Sequence, residues 1–195
     1  MLSKFKFFAK FLIGGLFSGF SISFFYLIPF YFLGYYILIK GLLKREDYKT
    51  SFLIGWFFGV GFFLSSMHWI VNPFLVYDEH FFLAPFILLL FPTSMAIFYS
   101  ISSILITFFF NRFKNNRHFF FINCSAVSII LFFSEYLRSV IFGGLPFNLS
   151  GHIWIFDYRF IKIVSLTGVF GLSILTTYWI TLMSLLLIKT KIFTF

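Results

Sequence analysis

Charge is what this chain has least of. Only 11% of its 195 residues are Asp, Glu, Lys or Arg, and just six are acids. A soluble domain carries about 25% charged residues, so too little polar surface is present to coat a water-soluble globule. Cysteine occurs once, at Cys124. That excludes an intrachain disulfide scaffold. The shortage of polar residues also excludes disorder, which needs low hydrophobicity. What is there instead is apolar: 61% hydrophobic and 26% aromatic residues, with 37 Phe and a mean hydropathy of +0.99. The solvent for most of this protein is lipid. At about 20 residues per span, the length accommodates about five to seven helices and leaves no room for a catalytic domain outside the membrane.

The net charge of +9 would suggest nucleic acid in a soluble protein. In a membrane protein basic residues collect in the cytoplasmic loops, so no nucleic-acid partner is expected. Lys4, Lys6 and Lys10 precede an apolar run, as in a signal peptide. The run outlasts signal-peptide length and no small-residue cleavage site follows, so it reads as an uncleaved first span.

The charged residues cut the chain into apolar blocks: 11–39, 50–77, 81–110, 119–156 and 163–188. The first is long for one crossing and short for two. Basic residues flank it on both sides, with Lys40, Lys44, Arg45 and Lys49 following. A hairpin turning near Ser21–Pro29 keeps both clusters on one side. The reading is a single transmembrane domain over 1–195, with spans near 4–24, 27–43, 50–70, 84–110, 119–142 and 162–188. Both termini then face the cytoplasm, as does the inner loop over 111–118. All of the fifteen Lys and Arg residues except Arg138, Arg159 and Lys162 fall on that side. The expected fold is an all-α integral membrane bundle of about six helices, with a short interfacial segment on the outer side.

Small residues recur at helix-packing spacing in Gly15-x3-Gly19 and Gly55-x3-Gly59, and at i, i+3 in Gly168 and Gly171. Each pair lets a neighbouring helix approach closely, chiefly within the bundle.

Glu135 and Arg138 lie inside the fifth span, one helical turn apart, where they can pair. An ionisable group at this depth costs about 3 kcal/mol, so function is its default reading; an ion pair pinning helices together is the structural one. After them, Gly143, Gly144 and Pro146 break the helix in Gly-Gly-Leu-Pro-Phe147-Asn148-Leu-Ser-Gly-His152. The segment 153–160, with Trp154, Phe156 and Tyr158 alternating, suits an element lying at the interface. Non-helical backbone near membrane depth must line a cavity or be buried in protein. His68 and Trp69 close the third span as interfacial residues. No histidine has ligand-like spacing with another, so no metal is expected, and no cofactor motif occurs. Cys124, a lone thiol near the cytoplasmic start of the fifth span, lacks a His or Glu partner and reads as a poor nucleophile. No complete catalytic constellation is present.

Three segments together carry a family resemblance: Gly59-Val-Gly61 through His68-Trp69, Ser134-Glu135-Tyr-Leu-Arg138 through Gly144-Leu-Pro146-Phe147-Asn148, and Leu166-Thr-Gly168-Val-Phe-Gly171-Leu-Ser173. In order, over roughly 50–188, they resemble the membrane domain of bacterial apolipoprotein N-acyltransferase. Phe147 departs from the pattern, since the family usually has Trp after that Pro. The resemblance implies a nitrilase-like domain on the periplasmic face. There a Glu-Lys-Cys triad takes an acyl chain from a phospholipid and passes it to the amine of a diacylglyceryl-cysteine lipoprotein. None of those triad positions lies in these 195 residues, so the chain is expected to be the membrane half alone and to need a nitrilase-domain partner. The resemblance assigns Glu135, Arg138, Pro146 and Asn148 to the substrate cleft. Gly144, Phe147, His68 and Trp69 are further candidates for cleft or structural roles. Its implied partners are membrane phospholipid and diacylated lipoprotein, in the bacterial inner membrane. The alternatives are an inactive remnant or lipid-binding membrane module and, resting only on Glu135 and Arg138, a small transporter.

Overall fold

A computed structural model describes residues 2–25, 27–114, 118–141, 144 and 146–193. Gly143 and Leu145 of the outer loop, Tyr26 of the first turn and residues 115–117 of the inner loop lie outside the described residues. Six α-helices carry the fold: α1 (Leu2–Phe20), α2 (Ile28–Leu43), α3 (Tyr48–Ser66), α4 (Ala84–Phe113), α5 (Phe119–Val140) and α6 (Tyr158–Phe193). No strand occurs among the described residues. Phe-rich sequence is a mediocre helix former in water, but lipid offers the backbone no hydrogen-bonding partner, so each segment must satisfy its own peptide groups.

Four helical stretches are long and apolar enough to cross a membrane: Lys4–Ser23, Asp78–Phe113, Phe119–Val140 and Tyr158–Ile188. A fifth candidate is the bent pair of α3 and the 3-10 helix His68–Leu75, which meet at 50°. This is an all-α membrane bundle. α2 is a shorter apolar helix of 16 residues, about 24 Å long. A single π-helical turn, Ser21–Phe25, links α1 to α2.

The ends of the helices show why they start where they do. Pro29 and Pro85 occupy the first turns of α2 and α4, where a missing N–H costs nothing. Asp47 caps α3, accepting from the backbone N–H groups of Lys49 (3.1 Å) and Thr50 (3.0 Å) and from the Thr50 hydroxyl (2.6 Å). These bonds hold its carboxyl below the usual range.

The helices close into a ring in the order α1, α3, α4, α5, α6, α2. α3 packs on α1 and α4 through glycines. A Cβ on Gly15 would sit 2.0 Å from the Phe58 carbonyl oxygen, and one on Gly59 would sit 2.8 Å from the Ala96 Cα. Both Gly-x3-Gly pairs therefore serve packing. Gly168 does not. It breaks α6 with φ 70, and a Cβ there would meet nothing within 4 Å. The expectation of a packing pair at Gly168 and Gly171 fails because only Gly tolerates this left-handed backbone, so the residue serves a kink.

One end of the bundle is basic and carries the α2–α3 and α4–α5 connections, tied by Lys114 Nζ to Glu46 Oε1 at 3.1 Å. Exposed on both sides, that pair is worth no more than about 1 kcal/mol. The opposite end carries the segment between α5 and α6.

Candidate functional site

The site forms where that α5–α6 segment folds back onto the bundle. Glu135 and Arg138 occupy the last two turns of α5 and are 7% and 3% exposed. One turn apart on a helix, they face the same way. Yet they make no ion pair, and each holds a different part of the returning chain instead. Glu135 Oε1 accepts from the Ser150 backbone N–H at 3.0 Å and from the Ser150 hydroxyl at 2.5 Å. Tyr31 of α2 donates to the same hydroxyl at 2.8 Å. Arg138 Nη1 donates to the Phe147 carbonyl at 2.7 Å, with its guanidinium 5.1 Å from the Phe63 ring centre.

The reason lies in the backbone. The segment's N–H and C=O groups enter the bundle outside any regular helix, and a buried peptide group without a partner costs about 1–3 kcal/mol. Two charged side chains, each aimed at such a group, remove more penalty than their mutual pairing would.

Further bonds fasten the segment to other helices. Asn148, held at φ 55, donates through Nδ2 to the Ser66 carbonyl at 3.0 Å, capping the end of α3. Gly151 N–H donates to Ser173 Oγ at 2.9 Å, and Trp154 Nε1 to Thr176 Oγ1 at 2.8 Å, both on α6. Ser150–Trp154 forms a 3-10 turn whose Ser150, Gly151 and Ile153 are buried. His152 Nδ1 accepts from the Leu149 N–H at 3.3 Å. Burial first and Arg138 second push the His152 pKa down from its ordinary value.

The remaining candidates sit at the rim. Gly144 turns the chain at φ 86. Pro146 and Phe147 are exposed, and Trp69 meets Phe147 edge-on at 5.5 Å. His68 opens the 3-10 helix after α3, with Nδ1 3.0 Å from the Ser65 carbonyl. Cys124 is buried at the far end of α5.

Beneath the clamp lies a small cavity of about 10 Å³ bounded by Tyr35, Phe63, Tyr99, Ser134, Glu135 and Arg138. Tyr35 and Tyr99 share a hydrogen bond at 2.7 Å. Phe98 and Ser134 separate this cavity from an apolar groove of about 350 Å³ between α4 and α5. At the same end of the bundle, apolar side chains are exposed. Phe81 and Phe82 precede α4, and Leu166, at 86% exposure, precedes the kink in α6. Ser150 is fully buried, and the carboxylate of Glu135 and the guanidinium of Arg138 are both bonded to backbone of the returning segment. Tyr31, Ser66 and Ser150 are contributors that sequence spacing does not reveal, since their partners are 82 to 119 positions away. Tyr31 and Tyr35, one turn apart in the apolar run of α2, are the only visible trace.

These features define a multi-pass α-helical membrane bundle in which a buried Glu and Arg hold an irregular segment at one end. Residues 14–183 match the family profile described as the apolipoprotein N-acyltransferase N-terminal domain. The chain belongs to this family. It is 37% identical over 136 residues to the apolipoprotein N-acyltransferase of Rickettsia bellii, covering 69% of this chain and 26% of that protein. With the Rickettsia prowazekii protein of the same name, identity is 35% over 165 residues, covering 84% and 32%. With that of Brucella suis it is 28% over 148 residues, covering 72% and 26%. The chain spans about a third or less of the length of these curated relatives.

Proposed function

We propose that this chain holds lipid substrates for N-acyl transfer to lipoproteins in the bacterial inner membrane, as the membrane part of an apolipoprotein N-acyltransferase. In this reading the short helix α2 crosses together with the five candidate spans, the basic end faces inward and both termini lie in the cytoplasm. The α5–α6 segment lies at the outer face, beside the leaflet that supplies a phospholipid acyl chain. The acceptor is the N-terminal amine of a diacylated lipoprotein. The acyl-transfer chemistry belongs to a nitrilase-like domain supplied from outside these 195 residues, and no residue here is assigned to catalysis.

The observation that carries this reading is the buried clamp of Glu135 on Ser150 and Arg138 on Phe147. It fixes an irregular segment next to exposed apolar surface, which suits a platform on which lipid chains and a catalytic domain meet. Glu135, Arg138 and Asn148 position that platform. Gly144, Pro146, Phe147, His68 and Trp69 form its rim.

The test combines the purified chain with the nitrilase-like domain of an apolipoprotein N-acyltransferase and follows acylation of a diacylated lipopeptide by mass spectrometry. Acylation is expected only when both parts are present. Folded protein that binds lipid yet supports no transfer would leave a lipid-binding membrane module and overturn the acyltransferase reading. Reporter fusions after Lys44 and after Asp157 check the topology, with the first expected inside and the second outside.

A further inference from the structure

The basic end holds a second site, unrelated to the clamp and about 20 Å from Tyr31 along α2. Lys10 of α1, Lys40 and Lys44 at the end of α2, and Arg45 just beyond line a cavity of about 240 Å³ floored by Tyr36, Ile37 and Gly41. We propose that this cavity binds the phosphate of an anionic phospholipid headgroup.

Four cations converge here and no acid lines the cavity. The acids that follow in sequence are engaged elsewhere. Glu46 pairs with Lys114, and Asp47 caps α3. None of the four cations forms an ion pair among the described residues. Arg45 Nε is buried without a hydrogen-bond partner. The negative end of the α2 dipole accounts for Lys40 and Lys44. It does not account for Lys10, which comes from another helix, nor for a buried guanidinium N–H left unpaired.

Aromatic faces hold the charges in place. Lys10 Nζ lies 4.4 Å from the Phe7 ring centre and 4.8 Å from that of Phe11. The Arg45 guanidinium lies 4.6 Å from Phe7, and Lys40 Nζ lies 5.4 Å from Tyr36. A cavity that gathers four positive charges, with guanidinium donors on an aromatic shelf, suits a phosphate oxyanion.

Two observations favour a lipid as its carrier. Lys10 sits more than a turn inside the candidate span beginning at Lys4, so the cavity is built on a membrane-crossing helix rather than on a loop alone. The cavity wall also passes from Lys40 and Lys44 to Tyr36 and Ile37 within about two helical turns, matching the polar-to-apolar gradient of a phospholipid.

To test this, the protein is placed in nanodiscs of phosphatidylcholine with or without phosphatidylglycerol, and retained lipid is counted by native mass spectrometry. Wild type is expected to retain phosphatidylglycerol over phosphatidylcholine. Lys40→Gln and Arg45→Gln should each weaken that retention about fivefold, the effect of about one cation at a membrane surface. Arg112→Gln, at the same end but outside the cavity, should leave it unchanged. Equal loss with Arg112→Gln would reduce the effect to diffuse surface charge and overturn the site. Undiminished retention in the Lys40 and Arg45 variants, with helicity intact by circular dichroism, would do the same. Inorganic phosphate added to phosphatidylcholine nanodiscs is the remaining arm. If it stabilises the protein as much as phosphatidylglycerol does, the carrier is a free anion and the lipid assignment falls.

Discussion

Replacing Glu135 by Ala removes the acceptor for two donors of Ser150. Its Oε1 takes the backbone N–H at 3.0 Å and the hydroxyl at 2.5 Å, and the hydroxyl in turn accepts from Tyr31 at 2.8 Å. Ser150 is fully buried, so water cannot replace the lost acceptor without opening the bundle end. Each orphaned buried donor costs about 1–3 kcal/mol, which for two gives about 2–6 kcal/mol. Gln keeps the accepting oxygen in place. Its amide nitrogen replaces Oε2, which has no hydrogen-bond partner among the described residues, so Glu135→Gln is expected to cost about 1 kcal/mol or less. Reversible unfolding of the purified protein in mixed micelles, followed by tryptophan fluorescence, measures both. Trp154 and Trp69 lie on and beside the clamped segment, so their signal should change first in the Ala variant. Equal losses for Ala and Gln, or a loss below about 1 kcal/mol for Ala, would refute the idea that Glu135 acts as an acceptor for loop backbone.

Three more outcomes follow from particular contacts. Gly15→Ala puts a methyl 2.0 Å from a backbone oxygen of α3 and should cost about 3 kcal/mol. Gly168→Ala enters open space and should cost only the backbone strain of φ 70 and ψ 169, about 2 kcal/mol; comparing their thermal unfolding checks the order. The depressed pKa of His152 means that the unfolded state takes up a proton first. Its contribution to stability is thus complete above the ordinary value of 6.5 and declines as pH falls from there toward the folded value. Unfolding midpoints across that window should drop less in His152→Gln, and an unchanged slope would exclude His152 as the source. In a double-mutant cycle, Tyr35→Phe and Tyr99→Phe together should cost less than the sum of the two single changes by about 1 kcal/mol, because either one alone strands the other's hydroxyl.

Much of the fold is legible in the chain because the apolar blocks are long and charges are rare enough to mark their ends. Glu135 and Arg138 stand out for the same reason. Their partners do not. A spacing of i, i+3 suggests that the two should pair, whereas the folded chain brings Ser150 N–H and the Phe147 carbonyl to them, and bonding these peptide groups outweighs pairing on one helix. Gly168 shows a similar limit. In a string of letters it resembles the packing glycines at 15, 19, 55 and 59, and only its φ of 70 with nothing facing it separates a kink from a contact.

The sequence by itself therefore determined the solvent, the helical state and which polar residues are costly, since all three follow from composition and local period. The tertiary structure alone decided what those residues hold and where the basic side chains converge. The bond from Tyr31 to Ser150 crosses 119 positions, and the cavity at the basic end joins Lys10 to Lys40, Lys44 and Arg45 from separate segments. Local period carries no information about such separations, because ring closure of the helices, rather than spacing along any one of them, makes these groups neighbours.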